Sequence, residues 1–90
     1  MYEVGKMEIE RVVEKVFDKH CAPKIIAVIN GLEKKYENGN WEVFECMVSN
    51  KTAKIIKSRV KAFKYVLAQY YNKPFKLEIN GKTVRVIVRK

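Results

Sequence analysis

The sequence is poor in the residues that carry most catalytic and redox chemistry. Its 90 residues hold one histidine, two cysteines, one glutamine, two prolines and four glycines. Two cysteines make no disulfide framework. His20 and Cys21 are adjacent, Cys46 stands alone, and no C-x-x-C or fourth ligand completes a zinc set, so no metal and no cofactor are expected. Cys46 reads as a small buried hydrophobe. There is no G-x-S-x-G, no phosphate-loop glycine pattern and no carboxylate pair in a catalytic motif. The expectation is a protein that is not an enzyme and takes no small-molecule substrate. No apolar run approaches the length of a membrane span. Residues 1–20 mix Glu, Lys and Arg with single apolar residues, which is not a secretion signal. Low-complexity stretches, linkers and repeats are not apparent, so residues 1–90 read as one cytoplasmic domain. One glutamine against fifteen lysines hints at a hot-environment source.

What the chain does have is positive charge, unevenly spread. Nineteen Lys and Arg against ten Asp and Glu give a net +9. Residues 1–45 hold seven basic and nine acidic side chains, whereas residues 46–90 hold twelve basic ones and a single acid, Glu78. A compact half-domain carrying such self-repulsion calls for a polyanion to offset it. Nucleic acid is the leading partner class and an anionic membrane surface a distant second.

Periodicity gives the elements. Ile9, Val12, Val13, Val16, Phe17 and His20 recur at helical spacing over residues 7–20. A second helix is expected over 23–37, opened by Pro23, with Ile25, Ile29, Leu32 and Tyr36 on one side. The competing reading of this stretch is a strand at 25–29 turning at Asn30-Gly31. Residues 41–48 alternate as a strand, Phe44, Cys46 and Val48 to one face and Trp41, Val43, Glu45 and Met47 to the other. Both faces are largely apolar, as in a central strand. Residues 50–72 read as one long helix, capped by Ser49 or Asn50, with Ile56, Val60, Phe63, Leu67 and Tyr70 as its apolar face. Residues 75–88 form a hairpin of strands 75–79 and 83–88 around Asn80-Gly81, read as a type I′ turn. That register sets Lys76 opposite Arg85 and Glu78 opposite Thr83. The fold class expected is α+β: two layers, a small sheet (41–48, 75–79, 83–88) packed by helices 7–20, 23–37 and 50–72.

Two basic constellations follow. At 100° per residue, Lys54, Lys57, Lys61 and Lys64 fall within about 80° of one another, and no acid interrupts residues 50–72. Solvated helix faces usually mix signs, because like charges at i, i+4 are destabilising. A lysine row suits contacts to phosphate more than base reading. Lys51 joins it at the helix start, and Tyr65 at its margin either stacks on bases or packs at the rim. Lys76, Lys82, Arg85 and Arg89 make a second basic face on the hairpin, unless Glu42, Glu45 or Glu78 neutralises it. Trp41 and Met47, with Ile87, remain exposed if helices cover one side of the sheet, and such a patch marks a partner or dimer face. Arg59 falls amid the helix's apolar sector. Either its stem packs while the head reaches the rim, or it crosses a subunit interface to a carboxylate such as Glu42 or Glu45.

From Pro23 to Lys90 the order of elements resembles the Alba family of archaeal chromatin proteins. The carriers are the Pro-initiated Ile25-Ile26-Ala27-Val28-Ile29 run, the strand Glu42–Val48 followed by a Lys-rich helix, and the closing Val84-Arg85-Val86-Ile87-Val88-Arg89-Lys90. The family runs strand, helix, strand, helix, strand, strand, and its first strand would have to come from residues 9–17, which read as helix here. Its lysine-bearing loop corresponds to His20-Cys21-Ala22-Pro23, flanked by Lys19 and Lys24, and Lys51 matches its basic motif after the second strand. Asn80-Gly81 stands where the family has a long basic arm. The resemblance implies a homodimer that binds double-stranded DNA or RNA without strong sequence preference. A winged-helix variant is the alternative topology. The alternative function is a small protein-interaction module, an inhibitor or adaptor from a mobile element, docking on an acidic partner.

Overall fold

The N-terminal helical spacing forms α1 (Lys6–Val16) in the computed structural model, which describes residues 6–90. Ile9, Val13 and Phe17, spaced by four, are all buried. The helix stops short of the expected residue 20. An Asp18 carboxylate oxygen accepts the backbone N–H groups of His20 and Cys21, both at 2.9 Å, and so offers the chain an alternative to another helical turn. The Cys21 amide, then the His20 amide, hold the Asp18 carboxyl below its ordinary range.

Helix α2 (Ala22–Gly31) starts on Pro23 and buries Ala22, Ile25, Val28 and Ile29. The helix expected over 23–37 is in fact two elements. Leu32 turns extended (φ −71°, ψ 110°), and residues 33–38 form strand β1. Two features end α2. Beyond Leu32 the run Glu33-Lys34-Lys35 has no apolar residue to continue the buried stripe. A Cβ at Gly31 would lie 2.9 Å from the Cys46 Sγ, so a larger residue at this helix end would have to displace that side chain.

Strand β2 (Trp41–Met47) is central, as its two-sided apolar pattern predicts, between β1 and β4 (Thr83–Arg89). Strand β3 (Phe75–Asn80) completes an antiparallel sheet of order β1-β2-β4-β3. Edge strand β1 is exposed throughout, charged and bulged at Lys35, which protects it from pairing with another chain. One face of the sheet meets the helices. There Val84, Val86 and Val88 are buried, with Phe44, Cys46, Phe75, Leu77 and Ile79 packed beside them.

The helix expected over 50–72 is broken. Helix α3 (Asn50–Ser58) is capped by Ser49, whose Oγ accepts the Thr52 N–H at 3.1 Å. Arg59 leaves helical geometry (φ −131°, ψ 47°), and α4 (Val60–Tyr71) follows. The break has one local and one distant cause: the Ser58 hydroxyl donates to the Ile55 carbonyl at 3.0 Å, and the Arg59 side chain is drawn to α1. Ile56, Phe63 and Leu67 are buried as expected of the apolar face, with Val66 beside them, but Val60 is half-buried and Tyr70 is 38% exposed. Tyr71 packs on Phe44 with ring centroids 5.2 Å apart, and burial pushes its hydroxyl pKa up. Asn72 ends α4 in the left-handed region (φ 54°).

The β3–β4 register differs from the expected one. Asn80 pairs with Thr83, so the two-residue turn is Gly81-Lys82, with Gly81 at φ +59°. Gly81 is thus the first central residue, and Lys82 keeps a negative φ, the type II′ pattern and not the type I′ one. Glu78 now faces Arg85, and Lys76 faces Ile87. The shift by one turn position replaces a like-charge cross-strand pair with an opposite-charge one.

The structure also contains a repeat that the residues do not display. Strands 33–38 and 41–47 map onto 75–80 and 83–89 at a constant offset of 42 (33 to 75, 41 to 83), and each hairpin follows two helices. Gly39 (φ +60°) and Gly81 (φ +59°) occupy equivalent turn positions. In the central β2–β4 ladder Phe44 pairs with Val86, its own equivalent, so a local two-fold axis passes through that pair. The order is therefore helix, helix, strand, strand, twice over. Residues 9–17 lie on α1 and the turn after it, where the Alba-like order has a strand, and residues 33–38 add a strand that order lacks.

Candidate nucleic-acid interface

Helices α3 and α4 expose Lys51, Lys54, Lys57, Lys61 and Lys64, together with Tyr65, which is 53% exposed. The break at Arg59 divides the expected single row into a pair on α3 (Lys54, Lys57) and a pair on α4 (Lys61, Lys64). Among the described residues the ion pairs use Lys34, Arg85 and Lys90, so none of these five helix lysines is neutralised by a neighbouring acid. Lys64 also lines a surface cleft of about 370 Å³ with Phe75, Lys76, Leu77 and Glu78. That cleft joins the lysines of α4 to edge strand β3.

The ladder registers lay out the sheet face turned away from the helices as cross-strand rows. One row reads Glu33, Glu45, Arg85, Glu78; the next reads Tyr36, Val43, Ile87, Lys76; the next begins Asn38, Trp41, Arg89. Met47, 72% exposed, stands beyond the first row beside Thr83. Trp41, Met47 and Ile87 thus share one face, as the alternation predicts.

Two expected site residues are already engaged within the chain. The Arg85 Nε donates to Glu45 at 2.7 Å and its Nη1 to Glu78 at 3.4 Å, and these carboxylates hold the guanidinium pKa above its ordinary value. Arg85 is therefore a compensated charge inside an acidic row. The Arg59 head lies exposed at the rim and turns to α1, not to Glu42 or Glu45 of its own chain. Its Nη2 donates to the Val16 carbonyl at 2.9 Å, at the C-terminus of α1, and its guanidinium lies 4.9 Å from the Phe17 ring centroid. Lys82 is exposed in the β3–β4 turn. Lys76 and Arg89 are exposed on the uncovered face, and Arg89 lies directly opposite Trp41.

Sequence reasoning missed Tyr36 as a member of this face, whereas the alternation over 41–48 already placed Val43 on it. Tyr36, 52% exposed, lies on strand β1, beyond the point where the helix expected over 23–37 ends. Val43 is 3% exposed although it points away from the helical layer. It lines an open groove of about 200 Å³ with Tyr36, Asn38, Trp41, Lys76 and Ile87.

Both cysteines are free thiols, and burial raises the Cys46 pKa. No group of three or more His, Cys, Asp or Glu side chains converges among the described residues, and none of their helices is long and apolar enough to cross a membrane. No protein-family model matches the chain, and no curated protein matches its sequence.

Proposed function

We propose that the chain is a non-catalytic nucleic-acid-binding protein that holds the phosphate backbone with the lysines of α3 and α4 and with the β3–β4 hairpin. The observation that carries this reading is the continuity of uncompensated cations: Lys64 on α4 and Lys76 on β3 line one cleft, while Lys51, Lys54, Lys57 and Lys61 lie exposed without acid partners among the described residues. A half-domain of this sign gains by releasing condensed counterions from a polyanion. The order α3, α4, β3, β4, with β2 added to β4, also supports a winged-helix variant in which α4 and the hairpin face the ligand.

Replacing Lys57 and Lys61 by Gln keeps helix propensity and removes two charges. On duplex DNA each phosphate contact contributes roughly −0.9 to the slope of log K against log salt, so the double variant should show a slope shallower by about two units. The loss should be equal on unrelated sequences, because phosphate contacts carry no base information. An unchanged slope and affinity would exclude this face and move the function to docking on an acidic protein.

A further inference from the structure

Backbone binding by lysines leaves one surface unused. On the sheet face away from the helices, Tyr36 and Trp41 stand diagonally on neighbouring strands and line the same open groove. Arg89 is directly opposite Trp41, and the Lys76 ammonium lies 6.0 Å from the Trp41 ring centroid. Neither cation has an acid partner among the described residues; the acids of this face occupy the adjacent row, where Arg85 holds Glu45 and Glu78.

We propose that this face stacks the bases of a single-stranded segment of DNA or RNA, with Trp41 and Tyr36 as platforms and Lys76 and Arg89 on its phosphates. The proposal rests on the nucleic-acid-binding reading and names its substrate class. Three observations carry it. First, Tyr36 is half exposed on a strand outside the helical layer, so its ring is no part of the core. Second, the charge next to the two rings is positive. At 6.0 Å the Lys76 ammonium is at the outer limit of a cation–π contact, and its flexible stem lets it exchange the ring for a phosphate. Third, Lys76 lines both this groove and the cleft it shares with Lys64. A strand held by α4 therefore meets a continuous path over the β3 edge onto the aromatic pair. Only unstacked bases present a free π-face to a protein ring, which selects single strands over duplex.

Trp41 is the only tryptophan, so the intact chain carries its own reporter. Its fluorescence should be quenched by oligo(dT) or oligo(rU) and not by duplex DNA of equal length. Trp41→Ala and Tyr36→Ser should each weaken single-strand binding, measured by anisotropy of a labelled oligonucleotide, by about fivefold to a hundredfold. Trp41→Phe should restore most of it, and duplex binding should stay unchanged. Tyr36→Ser, at an exposed edge position, keeps the test open if Trp41→Ala fails to fold. Single-strand binding with Trp41 unquenched and Tyr36→Ser without effect would overturn the stacking proposal while leaving the backbone reading intact. No binding of either polymer would overturn the backbone reading itself. A dimer in sedimentation that Trp41→Phe or Tyr36→Ser dissociates would mean that a second copy covers the face, and would also overturn the stacking proposal.

Discussion

Arg59 offers a test of how the two helix pairs are joined. Its guanidinium does two things at once: it donates to the Val16 carbonyl at 2.9 Å, among the unpaired acceptors at the end of α1, and it sits 4.9 Å from the Phe17 ring centroid. A cation at a solvent-exposed helix C-terminus contributes about 0.3–1 kcal/mol. An exposed cation–π contact adds about 0.5–1 kcal/mol. Arg59→Ala should therefore cost about 1–2 kcal/mol, a fall in Tm of roughly 5–15 °C for a domain of this size. Arg59→Lys keeps the charge and loses the planar stacking surface, so it should recover about half of the loss. Urea unfolding followed by circular dichroism gives the numbers, and repeating it over about a hundredfold range of protein concentration identifies any contribution from association. The contact is intramolecular, so the loss should be the same at every concentration. A loss that appears only at high concentration, or no loss at all, would refute this account and favour an arginine that works between subunits.

Two further outcomes follow from single contacts. Gly31→Ala should destabilise the wild-type chain, because the new Cβ would meet the Cys46 Sγ at 2.9 Å, yet in a Cys46→Ala background the same change should be neutral or stabilising by up to about 1 kcal/mol. A double-mutant cycle in urea that returns simple additivity would show that the contact does not matter. The Lys34 ammonium, then that of Lys90, lowers the Glu37 pKa from 4.5, so the stability this carboxylate contributes is present above that pH and lost as the pH falls through the folded value. Carboxyl NMR should place the Glu37 midpoint below 4.5 and show it rising in Lys34→Met; a midpoint that ignores the substitution would remove Lys34 as the cause.

What could be read from the residues was whatever depends on local pattern. Alternation over 41–48 fixed both faces of β2, the Ser49 hydroxyl marked the start of α3, and Ile56, Phe63 and Leu67 identified the apolar side of the α3–α4 segment. What escaped depends on partners distant in sequence. Strand β1 has no apolar alternation of its own; Glu33-Lys34-Lys35-Tyr36-Glu37-Asn38 is a strand because β2 offers it a ladder. The neutralisation of Arg85 required Glu45, which lies on a different strand 40 positions away. The helix break at Arg59 required α1, whose Val16 carbonyl sits 43 positions upstream. The hairpin register failed by the smallest step available, which residue of Asn80-Gly81-Lys82 opens the turn, and that step alone exchanged Lys76 for Glu78 opposite Arg85.

The repeat shows why backbone and side chains can carry different information. Equivalent strands agree in length and turn geometry, while equivalent residues share little: Trp41 corresponds to Thr83, Val43 to Arg85, Tyr36 to Glu78 and Glu33 to Phe75. The turn tolerates little change, since Gly39 and Gly81 both need positive φ. The strand faces tolerate much, because the helices do not cover them alike. Phe75, Leu77 and Ile79 of β3 pack beneath the helical layer, whereas β1 lies exposed at the opposite edge with Lys34 and Glu37 among its residues. One scaffold thus serves two uses. The half with the bulged, bare and charged edge strand stays close to neutral and brings Tyr36 and Trp41 to the open face. The other half, residues 46–90, supplies the core of the sheet and concentrates twelve basic side chains against one acid. On the proposed reading the two uses meet at Lys76, the one cation that lines both the cleft below α4 and the aromatic groove. Lys76→Gln should therefore reduce the salt slope on duplex and single strand alike, by roughly one contact each, whereas Lys57→Gln should leave the Trp41 quench amplitude at saturation untouched. Equal effects of the two substitutions on the quench would break the link between the surfaces and leave Lys76 as one more solvated lysine.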